Sequence, residues 1–428
     1  MARRYFGTDG VRGIAGEFLD ASLVERLGRA ATLWAGAHRV FVGRDTRASG
    51  VELEAALAAG IASAGATAVL GGVLPTPAVA LGALDLGVVI TASHNPPEYN
   101  GVKFFRAGGS KLSDAEEEQI EALLDAGGAA GSGGIEHAAD AGERYLAYVL
   151  GRFGSDLTGL RVVVDCANGA YSGLAAEAFE RLGADVVAIA CEPDGTNINV
   201  GCGATQPELL QRTVVEAGAN VGVAFDGDGD RIVAADETGA LVDGDGIVAI
   251  LALDLGVEMV AVTQMTNLGF HALMREHGIR VVTTDVGDRY VLEALVAEGG
   301  FLGGEQSGHV IYLRDHVAGD GLAAALLLCA ALRGRPLSEL AAAMPRFVQR
   351  KENIRVATKE LSPALRQAIE RVNEELGDDG RVLVRASGTE PLIRVLVEAS
   401  GEAVAAEACA TIASLVESEL GLGGSAAD

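Results

Sequence analysis

RVVVDCANGAYSGLAAEAFERLGADVVAIA, residues 161–190, shows the fold of this chain in one stretch. The β-branched run RVVVDC opens it, an amphipathic helix is predicted over 173–182, Gly183 caps that helix, and ADVVAI closes it with a second β-branched run. A helix between two such runs makes a crossover, so the strands lie parallel with the helix packed on their sheet. The pattern recurs on both sides. Residues 40–70 run from VFVGRD through a helix and a glycine to ATAVL, and residues 259–284 run from MVAVTQ through a helix and Gly278 to IRVVTT. Three strand–helix–strand units at a spacing of roughly 100 residues predict three related α/β domains in tandem.

The tail breaks the pattern. From Glu352 it reads NIRVA as a strand, a helix over 361–376, RVLVRA and LIRVLVEA as two strands, and a helix over 402–420. Only SGTEP separates the two middle strands, which makes them an antiparallel pair and the tail a smaller α+β domain. The expected domains are 1–154, 155–243, 244–350 and 351–428, in keeping with a length of 428 residues at roughly 100–200 residues per domain.

Composition narrows the function classes. Apolar residues make up 49% and charged residues 21%, a globular balance. The net charge of −26, from 59 acidic against 33 basic residues, argues against nucleic acid or an anionic membrane as partner. Only four of the basic residues are lysines, so an anion site has to be built locally from particular arginines and backbone N–H groups. The longest apolar run, 322–332, is eleven residues, short of the roughly 18 that span a bilayer. Arg3 and Arg4 are followed by no apolar stretch of a signal peptide. Five cysteines without a C-x-x-C read as free thiols, and the cytoplasm is the expected compartment.

The sharpest chemical feature is AFDGDGDRIVAADE, 224–237, where Asp226, Asp228 and Asp230 alternate with glycines after the strand-like VGVAF. Three carboxylates so close repel one another unless a cation neutralises them, and hard oxygen ligands select Mg²⁺, Ca²⁺ or Mn²⁺ over zinc. An EF-hand loop is the competitor, since Glu237 stands twelfth from Asp226. It fails because the sixth position is Arg231 where that loop needs glycine, and because the flanks read as strand. In TASHNPPEYNGVKFF, 91–105, Ser93 sits in a turn after the apolar strand LGVVI, with His94 and Lys103 near in sequence. Such a hydroxyl at a strand's carboxyl end can serve as a nucleophile, or merely cap backbone N–H groups. RASGTEPLIRV, 385–395, offers Ser387, Gly388 and Thr389 in a tight turn flanked by Arg385 and Arg394, the makeup of a phosphate clamp or of a plain hairpin turn. GGEQSGH, 303–309, holds Glu305, Ser307 and His309 among glycines, and FGTDGVRG, 6–13, places Arg12 near the start.

These five loops, in this order and spanning nearly the whole chain, resemble the α-D-phosphohexomutase superfamily. GEQSGH, with Gln306, and VGDRYVLEAL, 286–295, look like its branch acting on glucosamine phosphates. The resemblance implies three α/β domains with mixed sheets and a smaller α+β fourth, ringed around a central cleft. It implies an isomerase that passes a phosphoryl group from phosphorylated Ser93 to a hexose phosphate and takes it back, through a 1,6-bisphosphorylated sugar. Asp226, Asp228 and Asp230, with an oxygen on Ser93, would hold Mg²⁺. Arg12 and Lys103 would line the phosphoserine site and assist proton transfer, and His309 joins the catalytic set. Glu305, Ser307 and Arg231 would face the sugar; Arg385, Ser387, Gly388, Thr389 and Arg394 would bind its second phosphate. A homodimer is the assembly that relatives suggest. Asp285 stands where many relatives have Lys, so one cationic contact of the sugar pocket is missing. The phosphomannomutase/phosphoglucomutase branch is the alternative within the resemblance, and two other classes remain open at this point: a Mg²⁺-dependent sugar-phosphate phosphatase, and a Ca²⁺-binding module without catalysis.

Overall fold

The computed structural model describes residues 4–7, 9–125, 131–387 and 391–421. All three crossovers form. Strands Arg39–Arg44 and Thr67–Val73 pair in parallel around helix Gly50–Ser63, Arg161–Asp165 and Asp185–Ile189 around Ala175–Arg181, and Met259–Thr263 and Arg280–Thr284 around Leu268–Glu276. Each unit then adds the same two strands on its other side. A parallel strand comes first, namely Leu86–Ile90, Val221–Phe225 or Leu302–Gly304. An antiparallel strand follows directly, namely Tyr99–Arg106, Ile232–Asp236 or Val310–Tyr312. The three sheets are therefore mixed and share one four-strand order, with Val11–Ile14 and Ile135–His137 added to the first and Leu241–Val242 to the second.

That order fixes where the chemistry lies. The connection from the parallel strand to its antiparallel neighbour is 91–98 in the first sheet, 226–231 in the second and 305–309 in the third. These are the serine, aspartate and GEQSGH loops. Strands Leu86–Ile90, Val221–Phe225 and Met259–Thr263 are buried at every position, as strands covered on both faces must be. The long apolar run becomes helix Gly321–Leu332, which packs on helices Gly244–Asp254 and Ala141–Phe153 and on strands of the second and third sheets. A helix apolar on all sides belongs inside a core. Among the described residues, no helix is long and apolar enough to cross a membrane.

Contacts divide the chain into two units, one of residues 1–266 and 278–343, the other of 267–277 and 344–428. The second holds the antiparallel sheet Val348–Arg355, Leu392–Ala399, Gly380–Ala386, with helices Pro363–Leu376 and Glu402–Leu420. Helix Leu268–Glu276, which sequence spacing assigns to the third α/β repeat, groups with this tail. At its start the Asn267 amide is tied to the tail: Nδ2 donates to the Phe347 carbonyl at 3.0 Å while Oδ1 accepts from the Phe347 N–H at 3.1 Å.

Candidate active site

Ser93 takes a left-handed backbone, φ 52°, which costs a non-glycine residue about 1–3 kcal/mol unless its surroundings enforce it. A buried arginine enforces it. Arg47, fully buried, donates to the carbonyls of Ser93 at 3.0 Å, Asn95 at 2.7 Å and Tyr99 at 2.9 Å, and to that of Pro96. Its Nε donates to Asp45 Oδ2 at 2.9 Å, and the same carboxylate oxygen accepts from Thr91 Oγ1 at 2.7 Å. Burial pushes the Asp45 carboxyl up, with Arg47 opposing. From the second sheet's side, Asn199 Nδ2 reaches the Ser93 carbonyl at 2.9 Å. Neither Asp45 nor Arg47 stands out by reading the sequence, because a guanidinium in GRDTR is ordinarily a surface group.

The serine hydroxyl points at the acidic loop, where Ser93 Oγ donates to Asp226 Oδ2 at 2.6 Å. Asp226, Asp228 and Asp230 are all buried and offer ligand oxygens within 4.8 Å of one another. Gly227 and Gly229 are needed for this. A Cβ at Gly227 would meet the Ser93 carbonyl at 2.7 Å, and one at Gly229 (φ 75°) would strike the Tyr171 ring at 2.3 Å. Burial, then the neighbouring Asp228 and Asp230, raise the Asp226 carboxyl well above the usual range. For Asp230 burial acts the same way, but Lys103, His309 and Arg231 outweigh it and hold the group ionised. Thr76 Oγ1 at 2.6 Å and Lys103 Nζ at 2.8 Å occupy Asp228 Oδ2, whereas Oδ1 of Asp228 and Oδ1 of Asp230 are buried with no hydrogen-bond partner among the described residues. Orphaned carboxylate oxygens converging with a hydroxyl fit a hard divalent cation.

Lys103 joins three carboxylates: Asp228, Asp230 at 3.4 Å and Asp9 at 3.0 Å. Burial would depress its ammonium, but the attraction of Asp228, Asp9 and Asp230 is larger and raises it. His309 stands between Asp288 and Asp230 and is raised to about 9, their charges outweighing burial. His94 behaves in the opposite way. Burial, then Arg231 and Arg12, push it down to about 4, leaving a neutral imidazole whose Nδ1 is 3.3 Å from Ser93 Oγ. Arg12 pairs with Asp9. Arg231 lies between loops, drawn by Asp226, Asp230 and Glu305. Glu305 accepts from the Gly287 N–H at 3.1 Å and, at 3.5 Å, from exposed Ser307. Asp285 is exposed and accepts from Gln264.

In the second unit Arg385 and Arg394 face each other across the antiparallel pair, and burial, then Arg394, lower the Arg385 guanidinium. Ser387 is buried, and Lys359, which sequence reading passed over, donates to its carbonyl at 2.8 Å. Gly388 and Thr389 lie outside the described residues.

Four phosphoglucomutase/phosphomannomutase family models match in order: alpha/beta/alpha domain I at 3–130, domain II at 143–239, domain III at 243–347 and the C-terminal domain at 352–415. The chain is 51% identical to a phosphoglucosamine mutase of Desulforudis audaxviator over 93% of this chain and 94% of that protein. It is 52% identical to one of Moorella thermoacetica, covering 92% and 95%. A solved phosphoglucomutase/phosphomannomutase family protein of Burkholderia thailandensis superposes with a TM-score of 0.82 at 28% identity, covering 97% of each chain. The chain belongs to the α-D-phosphohexomutase superfamily and is an enzyme of its mutase class, with an acidic triad suited to the metal such enzymes use.

Removing Arg47 would leave Asp45 buried without its cation and four loop carbonyls without their donor. Arg47→Met should therefore lower unfolding free energy by about 3–5 kcal/mol in a denaturant titration. A loss under about 1 kcal/mol would show that the serine turn stands without the clamp.

Proposed function

We propose that this enzyme interconverts glucosamine 6-phosphate and glucosamine 1-phosphate, using phosphorylated Ser93 and Mg²⁺ on Asp226, Asp228 and Asp230. The observation that carries it is the 2.6 Å approach of the Ser93 hydroxyl to a buried triad with orphaned oxygens. The sugar assignment rests on the phosphoglucosamine mutases that are about half identical to this chain. The product serves amino-sugar nucleotide and cell-wall synthesis.

In this reading the Ser93 Oγ–P bond breaks as the free sugar hydroxyl bonds to phosphorus, giving the 1,6-bisphosphorylated sugar. The other phosphate then returns to Ser93 after the sugar turns around. Bound Mg²⁺ would neutralise charge on the transferred group. The protein's own share is alignment and fixed positive charge. Lys103, Arg12 and Arg231 are cations whose positions are set before reaction, which is where electrostatic stabilisation is strongest. The proton lost by the sugar hydroxyl has to reach Ser93 Oγ as its phosphoryl leaves. His94, whose Nδ1 is 3.3 Å from Ser93 Oγ, is placed to relay it, and Lys103 and Arg12 line the same site. Arg385 and Arg394, facing each other across the antiparallel pair, suit the phosphate that is not reacting, with Ser387, Gly388 and Thr389 of the sequence between them as its further donors. Such a second anion site favours a mutase over a phosphatase. The reading keeps the domains at 1–154, 155–243, 244–350 and 351–428 and places the enzyme in the cytoplasm, where the five unpaired cysteines would stay reduced. It also carries a homodimer, which light scattering would read as twice the chain mass.

Ser93→Ala should abolish turnover and the phosphate adduct in intact-protein mass while leaving the fold intact. Residual activity above about one per cent, a barrier change under about 2.7 kcal/mol, would remove the serine from the reaction. Glu305 can accept from a 2-ammonium group, a charge-assisted bond worth about 1.5–3 kcal/mol. Specificity constants should thus favour glucosamine phosphates about ten- to a hundredfold over glucose and mannose phosphates. Equal constants would move the enzyme to a neighbouring branch.

A further inference from the structure

One small side chain of the first α/β repeat, passed over in reading the sequence, meets the metal loop twice. Thr76 opens the short helix Thr76–Leu81, with Pro75 before it and Pro77 after it. The two proline rings fix φ on either side, so the turn itself sets where Thr76 stands. Its N–H belongs to the first helical turn, where no intrahelical carbonyl is in reach, and donates instead to the Asp228 carbonyl at 2.8 Å. Its hydroxyl donates to Asp228 Oδ2 at 2.6 Å. Both residues are buried.

Donors reach Asp228 on one oxygen only. Oδ2 takes Thr76 Oγ1 and, at 2.8 Å, Lys103 Nζ. Oδ1 is buried and accepts no hydrogen bond from the described residues, and the same holds for Asp230 Oδ1. A carboxylate is planar and turns with little resistance about its Cβ–Cγ bond, so whatever fixes one oxygen fixes the direction of the other. Lys103 is a poor fixer. Its stem is long and flexible, and its nitrogen also lies 3.0 Å from Asp9 and 3.4 Å from Asp230, so it can follow either oxygen of Asp228. Thr76 cannot follow. Its side chain is short, and its backbone is tied to the same aspartate.

We propose that Thr76 is a positioning residue for the metal site: its hydroxyl holds Oδ2 of Asp228 and thereby keeps Oδ1 turned to the cation. The proposal rests on the assignment of the divalent metal to the aspartate triad. Its sign separates it from the plain loss of a donor. A hydroxyl proton on a carboxylate offsets part of the negative charge that a cation is drawn to. Deleting that hydroxyl, with nothing moved, therefore leaves metal binding unchanged or tighter. Deleting the group that orients the carboxylate weakens it.

The test is Mn²⁺ affinity of the full chain without substrate, read from free Mn²⁺ by electron paramagnetic resonance. Asp230→Asn protein serves as the blank for Mn²⁺ held elsewhere on an acidic chain. Thr76→Ala, which removes the hydroxyl and crowds nothing, should weaken binding about tenfold, the scale of one hydrogen bond to a charged group. Thr76→Ser, which loses only the methyl, should stay within about twofold of wild type, since its hydroxyl can make the same bond. In turnover, the metal concentration giving half-maximal rate should rise by the same factor in the Ala variant, with the KM for hexose phosphate at saturating metal within about twofold of wild type. Should the Ala variant not fold, Thr76→Val, which fills the space without a donor, should show the same loss. Unchanged or tighter Mn²⁺ binding in the Ala or Val variant overturns the proposal, as does a Ser variant as weak as the Ala one, which would assign the effect to the methyl. Wild-type protein that binds Mn²⁺ but turns over no hexose phosphate would sink the mutase reading, and the Ala and Ser affinities would still decide the role of Thr76.

Discussion

Three carboxylates buried within 4.8 Å of one another are the constraint around which the rest of this site is built. Two unit charges 4 Å apart repel by about 4 kcal/mol at an effective dielectric constant of 20, so the cluster exists only if its surroundings compensate it. Part of the compensation is built in: Lys103 on Asp228 and Asp230, His309 beside Asp230, and the Asp226 carboxyl raised toward its neutral form. The remainder is left to a cation, because one oxygen on each of Asp228 and Asp230 accepts no hydrogen bond from the described residues. A site fully balanced by lysines would bind no metal, and one with no lysine would resist folding before metal arrives. This chain lies between those limits.

The repeated topology explains how one chain brings such groups together. In each α/β unit the functional loop leaves the carboxyl end of a parallel strand and returns as an antiparallel one. The same position carries a serine in the first unit, the aspartates in the second and the GEQSGH residues in the third. Small backbone ties then join the loops. The Thr76 N–H donates to the Asp228 carbonyl at 2.8 Å, Ala170 N–H to that of Gly227 at 2.9 Å, and Gly321 N–H, opening the buried helix, to that of Gly229 at 3.0 Å. The metal loop is thus held through its carbonyls, which leaves its side chains free for charge.

Much of this was legible in the sequence, and for a physical reason. Strand–helix–strand units are local in sequence, so hydrophobic period and a C-cap glycine suffice to find them, and DGDGD announces its repulsion without any fold. What escaped is non-local. Arg47 matters because it meets carbonyls some fifty residues away, in a turn whose strain cannot be read from SHNPP. Asp9, Lys111 and Asp288 look like solvated charges until the first and third repeats meet. The environments of Lys103 and His309 depend on carboxylates from other loops, which raise both groups, while burial pushes His94 down. Helix Leu268–Glu276 meets the tail through contacts such as the Asn267 amide on Phe347, which no periodicity reveals.

The central claim is that Ser93 hands its phosphoryl group to a sugar hydroxyl and not to water. Rapid-quench mixing of enzyme carrying labelled phosphate on Ser93 with excess glucosamine 6-phosphate tests it directly. The account requires label to leave Ser93 at least as fast as turnover and to appear first in a bisphosphorylated sugar. Label released at that rate as inorganic phosphate, or retained on the protein through many turnovers, would contradict it.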